Sequence, residues 1–475
     1  MSLPTTRLNL LARSLLTGQV HAAGDPHRPL WHLAPAVGLL NDPNGFIHFQ
    51  GHYHLFYQWN PLACAHGAKF WGHWRSTDLV NWQHEPVALV PGDDYDSHGC
   101  YSGSAVDDHG RLTLIYTGNV KYPDGGRTAW QCLARAREGD THYKLGPPYP
   151  LPPGYTRHVR GPKVWFEDGQ WWMVLAAQDP QLQGKVLLLS SPDLQQWHNC
   201  GELAGSRLNG LGDFGYMWEC PDLFRLDGQA ILLTCPQGLM PQAEQWLNRF
   251  QCGWFAGDLD LQAVTFRHGD FHELDAGFEF YAPQTTETAD GRRLLFGWMG
   301  VPEQDETLHP TLAYGWVHIM TCPRELHVEH GWLYQRPARE LVALRGEKTG
   351  WQGHANRLPA LPMASAELQI TPRDNEPFCL TLGDSLWLEW DGQRLILSRP
   401  SLKDGHLEYR YWRGALQHLQ LLCDRSSVEI FINHGQAVMS SRYFPASTAT
   451  AVTLAGRGST ELVLQHWPLS ACVIE

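Results

Sequence analysis

Hydrophobic and polar positions along this chain alternate in short bursts, each opened by a glycine. Five segments share the pattern of a polar residue, a Gly and an alternating or apolar run: QGHYHLFYQ at Gly51, HGRLTLIYTG at Gly110, DGQWWMVLAA at Gly169, DGQAILLTCP at Gly228 and DGRRLLFGWM at Gly291. Asp-Gly ahead of a β-rich run is a strong hairpin signal. The glycines are 59, 59, 59 and 63 residues apart. Near-constant spacing of short strands, with almost no helical periodicity, predicts a five-bladed β-propeller, one blade per glycine. Two echoes support the period: STDLVNW ends at Trp82 and SPDLQQW at Trp197, 31 and 28 residues after their glycines. A plain β-sandwich with regular hairpins is the alternative.

After about residue 340 the rhythm stops, and alternating strands (LWLEWDG, RLILSR, SSVEIFIN, ELVLQHW) predict a second all-β unit, most simply a sandwich. The expected division is an N-terminal arm over 1–25, a propeller over 26–340 and a β-sandwich over 341–475. The arm, with Arg7 and Arg13 interrupting its apolar residues, reads as a short amphipathic helix rather than a signal peptide.

Composition narrows the function. The net charge of -13, with no block of Lys and Arg, argues against nucleic acid or an anionic membrane as partner. No apolar run is long enough to span a bilayer. The 11 cysteines are scattered without a C-x-x-C pair, which disfavours disulfides and zinc and points to reduced thiols in the cytoplasm. No cofactor or metal site is expected: His52 and His54 read as one strand face, and the Gly-rich stretch at 210–215 precedes a strand where a dinucleotide site needs a helix. The 21 Trp residues fit core packing, with some ring faces left for sugars.

In a propeller the innermost strands line the axis, so equivalent repeat positions converge. Eight to ten residues before each glycine stand Asp42, Ser102, Arg160, Glu219 and Tyr281. Each alone has an ordinary reading: Asn-Asp-Pro-Asn-Gly as a turn, Glu219 as an outward-pointing strand residue, Arg160 as half of an ion pair. Together they place two carboxylates at one funnel, the equipment for glycoside hydrolysis; a separation of about 5 Å gives retention through a covalent intermediate. Asp42, in a polar turn, is expected to stay ionised as nucleophile. Glu219, between Met217, Trp218 and Cys220, is expected to have its pKa raised by desolvation, as suits a general acid.

At these residues the chain resembles the β-fructofuranosidases of glycoside hydrolase family 32, nearly end to end. The likeness is carried by HLAPAVGLLNDPNG, YHLFYQWNP, WGHWRSTDLVNW, YSGSA, WECPDLF, FYAPQ and DRSSVEIFIN, and is strongest to bacterial intracellular sucrose-6-phosphate hydrolases. It implies a five-bladed propeller plus β-sandwich, with Asp42 as nucleophile and Glu219 as acid/base. It places Asn41, Gln58, Tyr101, Ser102, Arg160, Tyr281 and Trp298 around the sugar, and no catalytic group in the second domain.

Two departures stand out. The family has Arg-Asp-Pro where this chain has Arg160-Gly161-Pro162, and that Asp holds fructosyl hydroxyls in the transition state. Its loss costs about 3–5 kcal/mol, or roughly 10²–10⁴ in rate, so the chain is expected to bind its substrate class and turn it over poorly. The substitution is either an introduced one that traps a complex, favoured by the intactness of every other motif, or natural drift. Second, His66 and Lys69 stand where relatives often carry a Trp, and are candidate cations for a 6-phosphate, or plain loop residues. The expected substrate is sucrose 6-phosphate or sucrose. An invertase or fructo-oligosaccharide hydrolase, and a non-catalytic sugar-binding propeller, are the alternatives. Oligomeric state is not legible.

Overall fold

The computed structural model describes residues 1–137 and 139–475. Among them the glycine rhythm becomes hairpins. Gln50-Gly51, Asp168-Gly169 and Asp227-Gly228 each have positive φ at both residues, the type I′ geometry whose twist matches the flanking strands. Gly110 and Gly291 close slightly longer turns, also at positive φ.

Each turn joins the first two strands of an antiparallel sheet. The five first strands are Gly38–Phe49, Cys100–Asp107, Val159–Glu167, Met217–Leu226 and Tyr281–Glu287. Their sheets have four or five strands, nearly all in sequence order, and the first strands contact one another in a closed cycle. Trp316–Val317, from beyond the fifth hairpin, pairs in parallel with Gly38–Leu39 and latches the ends together.

The second strand of each sheet is covered on both faces, which is why it reads as a nearly continuous apolar run. In Gln170–Gln178, Trp172 and Val174 pack towards the fourth sheet with Trp218, Leu232 and Phe255, while Trp171, Met173 and Leu175 pack towards the second with Ile115 and Leu133. Many of the tryptophans serve this packing: Trp71, Trp74, Trp172, Trp218 and Trp316 are fully buried.

Residues beyond 345 build two six-stranded sheets around one apolar core that includes Leu368, Leu380, Leu388, Leu421, Ile430 and Leu464. The N-terminal segment departs from expectation. It is a helix of 21 residues, Leu3–Ala23, not a short one. It buries chiefly Leu11 and Ala22, leaving Leu8, Leu16 and Val20 exposed, because its leucines are spread round the axis. It docks on the five-sheet unit, where Arg7 donates to the Ser97 carbonyl at 2.7 Å and His21 stacks on Tyr314.

The two units meet through buried charge. His32 lies between Asp424 at 2.8 Å and Glu429 at 2.6 Å, and Arg324 donates to Glu429 at 2.9 Å and to Ser440 at 2.8 Å. Burial opposes the charge on His32, but the two carboxylates overcome it and raise its pKa to about 9.

Removing one partner leaves the others buried and uncompensated, so Glu429→Ala is expected to cost about 3–5 kcal/mol in urea unfolding. The contribution of His32 is fully present below its unfolded pKa of about 6.5 and is lost as pH rises through the folded value near 9. The stability gap between wild type and His32→Gln therefore narrows across that window; a constant gap would show a neutral imidazole.

Candidate active site

The five first strands share a second feature: each slips register near its start. The breaks fall between Leu40 and Pro43, at Ser102, between Arg160 and Lys163, between Glu219 and Asp222, and between Tyr281 and Gln284. These are β-bulges, and in three of them a proline occupies the gap, where no ladder N–H is needed. Gly161, Cys220 and Ala282, each just before its Pro, have φ of 77°, 51° and 51°. A bulge turns its strand, and here five turn their side chains into one cleft of about 730 Å³. Asn41, Asp42, Gln58, His66, Lys69, Tyr101, Ser102, Arg160, Gly161, Glu219, Tyr281 and Trp298 all line it, so every site residue anticipated from the sequence is brought together.

Asp42 lies within a strand rather than in a turn, and it is deeply placed. Its Oδ2 accepts from the Ser102 hydroxyl at 2.5 Å and faces the Cys220 thiol at 3.6 Å, while Oδ1 accepts from Asn41 at 3.2 Å. Burial, with the charge of Glu219 added, raises its pKa; Ser102, Lys69 and Asn41 pull the other way. The polar turn expected to keep this carboxylate ionised is thus replaced by a half-buried site within a strand, where that task falls to specific donors.

Glu219 is the converse. The apolar wedge expected around it does not form, because strand alternation sends Trp218 into the core between the third and fourth sheets. Both its oxygens are occupied by donors. Oε1 accepts from Arg160 Nε at 2.8 Å and Nη2 at 2.7 Å; Oε2 accepts from the Tyr281 hydroxyl at 2.8 Å and Gln237 at 3.1 Å. Cys220, its chain neighbour, is the residue that reaches Asp42, so the two carboxylates open into the same space.

Lys69 is 3% exposed, not at the mouth, and donates to Asn41 Oδ1 at 2.5 Å and to His66 Nδ1 at 2.8 Å. His66 in turn pairs with Glu306 at 3.0 Å. Burial lowers the Lys69 pKa to about 7 against the pull of Asp42 and Glu306. Both side chains are thus engaged by neighbours within the cleft wall.

The sequence reading missed Thr117, Lys121, Arg127, Tyr216, Gln237, Arg249, Phe250 and Glu303 in and around the cleft. Part of this was available by stepping forward instead of back. Seven residues after a repeat glycine stand Gln58, Thr117 and Trp298; nine after stand Asn60, Asn119, Gln178 and Gln237.

The model of the glycosyl hydrolases family 32 N-terminal domain matches residues 32–337, and that of the family 32 C-terminal domain matches 397–468. A sucrose-6-phosphate hydrolase of Salmonella typhimurium is 57% identical over 475 residues, covering 100% of both chains. Among solved structures, a sucrose-6-phosphate hydrolase from Lactobacillus gasseri superposes with TM-score 0.89 at 30% identity, over 97% of this chain and 96% of that one. A Bombyx mori family 32 β-fructofuranosidase mutant in complex with sucrose gives 0.87 at 31% identity, over 99% of each chain.

At Gly161 the backbone N–H donates to Thr117 Oγ1 at 3.1 Å, and a Cβ would meet nothing nearer than Cys220 N at 3.6 Å. Space is open, and Asp tolerates the left-handed region better than most residues. Gly161→Asp is therefore expected to lower stability by no more than about 1 kcal/mol, and the β-branched Gly161→Val by more. Chemical denaturation of both variants measures this; equal losses would mean that space rather than backbone strain limits the position.

Proposed function

Since the chain belongs to glycosyl hydrolase family 32 and is by that membership a glycoside hydrolase, we propose that it releases the β-D-fructofuranosyl unit of sucrose 6-phosphate, and of sucrose, with retention of configuration. The observation that carries this is the shared cleft of two carboxylates with unlike surroundings, Asp42 buried under Ser102 and Cys220, Glu219 held by Arg160 and Tyr281. Asp42 attacks the anomeric carbon while protonated Glu219 gives its proton to the departing glycosidic oxygen. Water then attacks the fructosyl–Asp42 ester, Glu219 takes back a proton, and fructose leaves. Ser102 and Lys69 stabilise the ionised nucleophile. Asn41, Gln58, Tyr101, Arg160, Tyr281 and Trp298 surround the sugar.

The closed cycle of first strands supports a five-bladed propeller over 26–340, and the paired six-stranded sheets a β-sandwich over 341–475. The names of the relatives support a sugar phosphate as substrate. Eleven free cysteines suit a reducing cytoplasm, where such a phosphate is found.

Gly161 leaves the fructosyl hydroxyls without the carboxylate that family members supply, which favours a second reading, binding with little turnover. The two are separated by sucrose 6-phosphate and sucrose hydrolysis with and without Gly161→Asp. The variant is expected to raise kcat/KM by about 10²–10⁴. Adding Asp42→Asn to it should abolish the gain. No turnover in either form would leave the binding reading in place, and an equal, appreciable rate in both would reject the role given to position 161.

A further inference from the structure

The cleft is lined by five Lys and Arg residues, and their partners differ. Arg160 is bound to Glu219, Arg249 pairs with Glu303 at 2.8 Å, and Lys69 is tied to Asn41 and His66. Lys121 and Arg127 remain. They sit at the mouth end of the second sheet's Leu112–Lys121 and Arg127–Arg137 hairpin, directly opposite each other in its register. Side chains at opposed positions share a face, and like charges there repel. Neither cation forms an ion pair with a carboxylate among the described residues. Arg127 Nη2 donates to Asn119 Oδ1 at 2.8 Å, but its Nε is buried without a hydrogen-bond partner. The nearby acids are already engaged: Asp124 accepts the Gly126 N–H within the turn, and Glu219 is held by Arg160.

A chain with a net charge of -13 that sets two cations face to face in its cleft, neither paired with a carboxylate among the described residues and Arg127 partly desolvated, has left room for an anion. We propose that Lys121 and Arg127 form the phosphate-recognition point of the cleft, receiving the 6-phosphate of the leaving glucosyl unit; this rests on the reading of the chain as a phosphosucrose hydrolase. A phosphate monoester matches the pair. The guanidinium offers a planar fork to two oxygens, and the ammonium a point charge to the third. Asp42, on the first inner strand, and this hairpin end line the same cleft, so a sugar phosphate whose fructosyl ring lies over Asp42 has the two cations within the space it occupies. In this reading Lys121 and Arg127 take the role expected of His66 and Lys69, of which Lys69 is 3% exposed and His66 pairs with Glu306.

The low turnover expected of this chain makes direct calorimetric binding practical. Sucrose 6-phosphate and sucrose are titrated into the wild type, Lys121→Gln, Arg127→Gln, Arg127→Lys and the double Gln variant, with Arg249→Gln, a cleft cation already paired with Glu303, as a control. The readout is the ratio of the two affinities, which a merely structural loss does not move. Wild type should prefer the phosphorylated sugar by about 10- to 100-fold or more. Each Gln variant should reduce the ratio by about 10-fold, the double variant should bring it close to one, and Arg127→Lys should retain part of it. Lys121 is exposed, so its variant reports even if the Arg127 variants fold poorly. A wild-type preference that survives the double variant would overturn this assignment and leave the phosphosucrose reading standing. An equal fall in Arg249→Gln would overturn it in favour of a diffuse field. No preference in the wild type would remove the phosphosucrose reading, and the assignment with it.

Discussion

The site depends on one geometric constraint: five first strands in a closed cycle, each bulged at the same phase. Asp42 and Glu219 are 177 positions apart in the chain and belong to the first and fourth sheets. An unbroken pleat would alternate side chains strictly between faces and send half of these residues into the packing between sheets. The bulges suspend that alternation locally. Their cost is visible at Cys220 and Ala282, non-glycine residues held at positive φ. Such strain persists only where the surroundings over-determine it, and the latch of Trp316–Val317 onto the first strand is part of that closure.

The second constraint is electrostatic. Burying two carboxylates in one cleft is unfavourable unless donors replace water. The protein solves the problem differently for each. Asp42 keeps a neutral hydroxyl, an amide and a thiol close, with Lys69 as its nearest cation, and its pKa rises. Glu219 is given an Arg and a phenol. The two-sheet unit lends no side chain to the cleft, whose lining ends at Glu303. Its part is to hold the first unit: Asp424 and Glu429 clamp His32, six residues before the first strand, and Arg324, in the fifth sheet.

Much of this was legible in the residue pattern. The period of the glycines is a backbone requirement, because type I′ turns need positive φ, so it survives in the sequence whatever else varies. Phase relative to those glycines identified Asp42, Ser102, Arg160, Glu219 and Tyr281 because strand length fixes the distance from turn to bulge. Environment was less legible. Whether Glu219 sits among Met217 and Trp218 or among Arg160 and Tyr281 depends on which face a bulged strand presents, and a bulge is the one place where alternation fails to say. Hairpin ends were also missed. Lys121 and Arg127 flank the turn YPDGG and read as solvated loop charges until the register sets them opposite each other at the cleft.

Gly161 shows how these constraints interact. Of the three bulge residues at positive φ that precede a proline, it alone pays no side-chain strain; Cys220 and Ala282 hold the same conformation with a Cβ. Glycine is thus the residue that backbone geometry prefers there, and a carboxylate at that position would be strained relative to it. Under the role proposed for position 161, stability and catalysis pull in opposite directions there, and this chain has the residue that stability favours. The rest of the cleft shows no matching relaxation: Arg160 still reaches Glu219, Thr117 still receives the Gly161 N–H, and the space a side chain would fill stays open. The cleft thus keeps its other groups in place while position 161 carries the residue that backbone geometry favours.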